Sequence, residues 1–350
     1  LAVISSPIWS LRGKLSALKE PFVKAAPSDS EQSVADFVRR RLGEELYKYA
    51  INPLIGGIYA GNPEKLSLRY AFPRLHELEQ MHGGLIRGAI AKKKGAKKGD
   101  EPKVRKRIVT FKEGIDTLPR LIAAALGTQV HTRTTISSIR QKDEQWQVSW
   151  KSEASRSELF DQLILTVPAY ALGKLPFGDS LAQRLSSLST IHYPPVSVLS
   201  LGYRREQVKH PLDGFGALVP ECEQRKILGV LFPNSIFEGR APKGAVLLTV
   251  FVGGTRNSDL ATEDTDALKG IVASDLKAFL GINSAPEFTH HRHWPTAIPQ
   301  YNIGYGEVLK NIGQIETDHK GLSLLGNYRT GISLTDCIKA TQSHSLGALD

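Results

Sequence analysis

Val34, Phe37, Val38 and Leu42 recur at three- and four-residue spacing behind a Ser/Asp-rich start, which predicts a helix within Ser30–Leu42. Leu66–Ile90 reads as largely helical with one break at Pro73, and INPLIGGIYAGNPEKLS before it reads as a loop. Phe111–Leu126 predicts a Gly turn and then an Ala/Leu/Ile-rich helix, with Pro119 in its first turn. Trp146, Val148 and Trp150 alternate with polar residues, so Thr134–Trp150 should hold two strands. Asp161–Val167 is a continuous apolar run stopped by Pro168, the pattern of a buried strand, and Ala169–Leu175 resumes as helix. From Val196 to Phe251 the runs VSVLSLGY, FGALVP, ILGVLF and AVLLTVFVGG are short, β-branched or aromatic, and bounded by Gly and Pro. A helix over Thr265–Leu280 follows. The chain then gives a strand at Gly321–Leu325, the turn GNYRTG and a helix opening at ISLTDCIKAT.

This order predicts an α/β (α+β) protein. Residues 1–105 form a mainly helical region, 106–175 a segment of helix and strands, 176–300 a domain built on a mixed β-sheet, and 301–350 a closing segment of helix and strand. Hydrophobic residues make up 41% and charged residues 23% of 350, an ordinary globular composition that excludes a disordered or fibrous chain. Two Cys are too few for a disulfide framework and suit a reducing compartment. The longest apolar runs fall far short of the ~20 residues of a membrane span, and the first residues do not read as a signal peptide. The only Met is Met81, so the sequence, which opens at Leu1, reads as a fragment or a processed form.

The net charge of +10 is local. AKKKGAKKGDEPKVRKR at 91–107 holds nine Lys or Arg against two acids, a net of +7, which leaves +3 for the other 333 residues. Glycines and a proline break the run, and no aromatic is interleaved with its lysines. It therefore reads as a solvated loop before it reads as a lipid-headgroup contact or a nucleic-acid site.

Candidate chemistry is sparse. A strand feeding Gly326-Asn327-Tyr328-Arg329-Thr330-Gly331 into a helix aims free N–H groups at one spot, which suits a phosphate or a polar ring edge. His291 and His293 should share one face of a strand beside Trp294. They have no carboxylate or Cys at metal spacing, so a metal is not expected. The sequence has no G-x-S-x-G, P-loop, paired-Cys motif or H-E-x-x-H, and GGIYAG has the wrong spacing for a dinucleotide fingerprint. Cys222 and Cys337 read as small core fillers.

IGGIYAGNPEKLSLRYAFPRL, FKEGIDTLP, LTVPAYALGKL, DGFGALVP, ILGVLFPNSIFEGRAP, FVGGTRN, WPTAIPQYNIGY and LGNYRTGISLTDCI occur in one order along most of residues 30–340. Together they closely resemble the flavin-dependent, oxygen-using protoporphyrinogen oxidases, members of the amine-oxidase-like flavoproteins. The resemblance implies a Rossmann-type domain for flavin adenine dinucleotide (FAD) in discontinuous segments, a mixed-sheet substrate domain and a helical, membrane-associated insertion. The family's G-x-G-x-x-G unit and a substrate-binding Arg would lie within about a hundred family residues that precede Leu1. These residues alone are therefore expected to hold flavin weakly and to be inactive.

The resemblance further implies hydride transfer from a tetrapyrrole meso carbon to flavin, with oxygen reduced to hydrogen peroxide, and no side-chain base. Phe215, Leu218, Leu231 and Phe251 would grip the tetrapyrrole, with Gly57 and Gly216 bringing backbone close to it. Asn327, Ile332, Ser333 and Leu334 would contact the isoalloxazine end of FAD, and Ile136 its adenine end. Protoporphyrinogen and coproporphyrinogen differ in vinyl against propionate groups, and the residues leave that choice open. Rival readings are an inactive fragment that binds a membrane or a partner, and, third, a basic nucleic-acid binder. The expected setting is cytoplasmic, peripheral on the inner face of the cytoplasmic membrane, and compatible with a homodimer.

Overall fold

A computed structural model describes residues 6, 8–95, 109–152 and 154–347. Most of the basic run, from residue 96 onward, lies outside that set. The helices used below are α1 (Leu11–Leu18), α2 (Val34–Leu42), α3 (Asn52–Tyr59), α4 (Pro73–His82), α5 (Leu85–Gly95), α6 (Thr117–Leu126), α7 (Thr265–Leu280), α8 (Tyr305–Asp318) and α9 (Leu334–Gly347). The strands are β1 (Thr135–Lys142), β2 (Gln145–Lys151), β3 (Ser155–Phe160), β4 (Leu163–Leu165), β5 (Val196–Arg204), β6 (Gly216–Leu218), β7 (Ile227–Leu231), β8 (Ala245–Gly253), β9 (Phe288–Trp294) and β10 (Leu322–Leu324). Two compact units share them: Leu1–Gly95 with Ile191–Glu307, and Ala96–Thr190 with Val308–Asp350.

The first unit is built on a five-stranded sheet in the order β6-β7-β8-β5-β9. The expected mixed sheet is corrected here, because every pairing in it is antiparallel. The crossover through α7 returns β9 in the same direction as β8, but β5 occupies the place between them, so no parallel pair forms. Asp264 caps α7 by accepting from Asp266 N and Ala267 N, and Gly281 ends it at φ +66°. Between these caps Leu268, Val272, Leu276 and Leu280 recur on one face. They pack on Leu199, Leu201, Leu248, Val250 and Val252 from one side of the sheet. Asp275, also buried, accepts from Lys226 N and Ile227 N and so anchors the start of β7.

In the helical part of this unit, Ser33 caps α2 by accepting from Asp36 N. Helical structure over 66–90 breaks at Pro73, as expected, and again at Gly83 and Gly84. The expected loop over 51–67 is in part the helix α3. Pro53 fits its first turn, where a missing N–H costs nothing. A buried ion cluster ties the region together: Arg41 donates to Glu20, Glu79 and the Gly83 carbonyl, and Glu20 also accepts from Leu85 N and Ile86 N at the start of α5.

The second unit carries an antiparallel meander β1-β2-β3 and a parallel pair, β4 with β10. The pattern at 134–150 shows two of the meander's strands. β3 is exposed along its whole length and so lacks the alternation that reveals a strand. Trp146 is buried and donates its indole N–H to the Lys320 carbonyl. The parallel pair has no further strand beside it among the described residues, and Ile164 is exposed. No residue of α6 is buried, although Leu121, Ile122 and Leu126 are apolar.

Candidate substrate pocket and flavin-contact residues

The face of the large sheet turned away from α7 forms one wall of an apolar cavity of about 330 Å³. β5 contributes Val196 and Val198, β7 Leu228, β8 Phe251 and β9 Trp294, followed by Ala297 and Ile298. α3 closes the other wall with Gly56, Gly57 and Ala60. No lining residue is titratable. The volume sits near the low end of the ~300–1,000 Å³ common for ligand pockets.

Two contacts place α3 against the sheet. At its C-terminal end the Ala60 carbonyl accepts from Thr255 N, and a Cβ on Gly254, at φ +66°, would run into that carbonyl. At its N-terminal end Arg256 donates to the Val219 carbonyl and to Asn52 Oδ1, and Asn52 in turn donates to Glu221. Burial pushes the Arg256 guanidinium below its ordinary value, and Glu221 partly offsets that. The FVGGTRN stretch thus positions the glycine-bearing helix.

The residues expected to grip a tetrapyrrole stand at graded distances from this cavity. Gly57 and Phe251 line the cavity, and Leu218 packs directly on Gly57. Leu231 and Gly216 are register partners in the β6–β7 hairpin next to it, and the Phe215 carbonyl accepts from Phe232 N where that hairpin closes. The rings and methyls of Phe215, Leu218 and Leu231 are exposed. The reason for glycine at 216 differs from the expected one. At φ +150° a Cβ there would strike the Val230 carbonyl and Leu231 Cα, so the neighbouring strand excludes a side chain.

Val196, Val198, Leu228, Ala60, Ala297, Ile298 and Arg256 were not singled out by sequence. The period-two pattern of β5 and the WPTAIPQYN block carried the signal for several of them. The histidine pair does share one face of β9. Ser197, buried on β5, donates to the Ala261 carbonyl and lies 2.9 Å from His291 Nε2 and 3.2 Å from His293 Nδ1, while Thr265 meets His291 Nδ1 at 3.0 Å. This is a structural clamp, and burial, the larger influence, together with the neighbouring His293 and His290, holds His291 below its usual value.

The flavin-contact candidates all lie in the second unit. Arg329 donates twice to Glu316 of α8 and to the Leu324 carbonyl, pinning the turn after β10. Ser333 accepts from Asp336 N and caps α9. Gly331, at φ +139°, leaves no room for a Cβ against the Asp336 carboxylate. The tight turn therefore presents the first N–H groups of α9 beside the exposed Leu334 and Ile338, with Ile332 and Asn327 in the same stretch. Ile136, exposed on β1, is the register partner of Trp150, whose buried indole N–H has no hydrogen-bond partner among the described residues. Backbone donors beside an apolar surface fit a flat heterocycle with one polar edge, so these residues fit a flavin.

The chain also resembles known proteins. Residues 3–340 match the family model of flavin containing amine oxidoreductases. Protoporphyrinogen oxidase 2 of Arabidopsis thaliana is 34% identical over 95% of this chain and 71% of its own length. The coproporphyrinogen III oxidase of Bacillus subtilis is 28% identical over 98% of this chain and 73% of its own. A candidate protoporphyrinogen oxidase from Exiguobacterium sp. 255-15 superposes with a TM-score of 0.75 at 21% identity, over 98% of this chain and 74% of that one, which bears on the fold.

Proposed function

We propose, for a chain that belongs to the flavin-containing amine oxidoreductase family, the FAD-dependent oxidation of protoporphyrinogen IX to protoporphyrin IX. The observation that carries this reading is the apolar cavity between α3 and the sheet, walled by glycines on one side and by Phe251 and Trp294 on the other. Such a slot receives a large flat hydrophobic molecule edge-on and offers it no acid or base.

The chemistry a bound flavin supplies is acceptance of a hydride from a substrate carbon, with oxygen as the final acceptor and hydrogen peroxide as product. This chain's residues bind, orient and exclude water. Phe251, Trp294 and Val198 offer apolar surface to the pyrrole rings, and Gly57 lets Leu218 lie flat across the helix. Asn327, Ile332, Ser333 and Leu334 hold the isoalloxazine end and Ile136 the adenine end. With no titratable group lining the cavity, the pyrrole protons leave to water or to backbone carbonyls.

Coproporphyrinogen III is the second reading, favoured by the match to the Bacillus subtilis enzyme. A peripheral membrane contact belongs to the same proposal. Leu11, Leu15 and Leu18 of α1, Phe22 and, further on, Met81, Ile86 and Ile90 are exposed, and a porphyrinogen is poorly soluble in water. No helix among the described residues is long and apolar enough to cross a membrane.

The test takes the full-length protein, loaded with FAD, mixes it anaerobically with each porphyrinogen and follows the flavin absorbance, then admits oxygen and reads porphyrin fluorescence. Bleaching by protoporphyrinogen IX with porphyrin formation is expected. Bleaching by neither substrate overturns the reading.

A further inference from the structure

We propose that Arg292 is a carboxylate anchor beside this pocket, in addition to the substrate-binding Arg expected upstream, taking a propionate of the tetrapyrrole and thereby helping to fix which edge of the macrocycle enters the cavity. The inference rests on the tetrapyrrole reading above and goes beyond it.

Side chains along β9 alternate. Thr289, His291 and His293 turn inward, and the two histidines are held by Ser197. His290, Arg292 and Trp294 lie on the other face, the one that carries the cavity. Arg292 pairs in register with Val198 and Trp294 with Val196, and both valines line the cavity, as does Trp294 itself. The Arg292 guanidinium stacks on the indole of Trp294, with Cζ 4.7 Å from the ring centroid.

Its edge is unused. Among the described residues Arg292 makes no hydrogen bond and has no carboxylate within 4 Å, whereas Arg39, Arg40, Arg41, Arg184 and Arg329 each hold one. Stacking on an aromatic face fixes the plane of a guanidinium and leaves its N–H fork free, the arrangement that accepts a carboxylate bidentately. The anchor stands beside a cavity with no charge of its own. A ligand that satisfies both has an apolar flat body with a carboxylate at one edge. Protoporphyrinogen IX has that asymmetry, with vinyl and methyl groups along one edge and two propionates along the other. Coproporphyrinogen III carries a propionate on every ring and would bring one into the uncharged cavity.

The test uses the fluorescent product, protoporphyrin IX, and its dimethyl ester, titrated into the wild-type protein, Arg292→Gln and Arg292→Lys. The wild type is expected to bind the diacid roughly ten- to a hundred-fold more tightly than the ester. Arg292→Gln should narrow that gap by weakening the diacid alone, and Arg292→Lys should keep more of it. Equal weakening of both ligands in Arg292→Gln would assign Arg292 a packing role and overturn the anchor. No change for either ligand would overturn it as well. If the wild type binds neither porphyrin, the tetrapyrrole reading itself falls. If the wild type binds both equally tightly, only the anchor falls.

Discussion

Leu218 of β6 lies across Gly57 of α3, and its Cδ2 occupies the place that a side chain at Gly57 would need. The contact is between a backbone and the free end of a flexible, exposed side chain, so it sets the shape of the pocket mouth more than the stability of the fold. Gly57→Ala is expected to shift stability by under about 1 kcal/mol, since alanine favours the helix while the methyl displaces Leu218. Protoporphyrin IX affinity should nevertheless fall by about ten-fold, and Gly57→Ala with Leu218→Ala should recover much of it. Thermal melts and fluorescence titrations read the two effects separately. Unchanged affinity in Gly57→Ala would remove Leu218 from the binding surface.

Gly216 gives the opposite expectation. Its missing side chain faces the Val230 carbonyl across the hairpin, and its φ of +150° disfavours any other residue. Gly216→Ala should cost about 1–3 kcal/mol, seen as a lowered Tm and as faster amide exchange in β6 and β7. A Tm equal to that of the wild type would show that the hairpin tolerates the strain.

The difference between these two glycines marks the boundary of what the sequence discloses. DGFGALVP and IGGIYAG show that both stretches matter, and α7 is legible because Asp264, its apolar period and Gly281 agree. The helical state of Asn52–Tyr59 is not legible. Two glycines and a proline argue against it locally, and what holds it, the Arg256–Asn52–Glu221 chain, joins residues more than 160 positions apart. Arg292 was hidden for a similar reason. Among three histidines it looks like one more polar residue, and only the strand register puts it beside Trp294 on the cavity face. α8, over Tyr305–Asp318, is the plainest omission, because NIGYGEV opens with glycines that mask its first turn.

The buried cluster of Arg41, Glu20 and Glu79 should dominate the stability of the helical part of its unit. Both carboxylates and the guanidinium are fully buried, and each bond is 2.9 Å or shorter. Arg41→Ala takes the shared guanidinium from two buried carboxylates, of which Glu79 keeps only Arg40 as a charged partner, and should destabilise by about 3–5 kcal/mol. Denaturant unfolding at pH 7 measures this, and a loss below about 1 kcal/mol would show that water enters and replaces the guanidinium.

The same cluster fixes a pH dependence. Burial by itself would raise Glu79, but hydrogen bonds from Arg40 and Arg41 outweigh it and hold the carboxyl below its ordinary value. The unfolded chain therefore takes up this proton at higher pH than the folded one. The stabilisation is complete above about pH 4.5 and is lost as pH falls through the lower, folded-state value. Glu79→Gln should be less stable than the wild type at pH 7, yet its stability should decline less steeply between about pH 5 and 3. Parallel curves for the two proteins would place the acid sensitivity elsewhere.

The membrane proposal rests first on the surface of α1. Leu11, Leu15 and Leu18 stand at i, i+4 and i+7 along one stripe, and Phe22, 83% exposed, extends it. Arg12, Lys14 and Lys19 lie in the same stretch. A short helix with leucines on one face and cations beside them suits the headgroup boundary of an anionic bilayer. Each inserted leucine contributes about 1.5–3 kcal/mol and each cation about 1 kcal/mol. The protein is expected to float with vesicles that contain phosphatidylglycerol. It should float less in 0.5 M salt as an order-of-magnitude screening condition, and Leu11→Glu with Leu15→Glu should leave it at the bottom of the gradient. That double variant should keep the wild-type Tm, because both side chains are exposed. Flotation that survives the two glutamates would move the contact to the exposed Met81, Ile86 and Ile90 further along the chain, and no flotation of the wild type would end the membrane proposal.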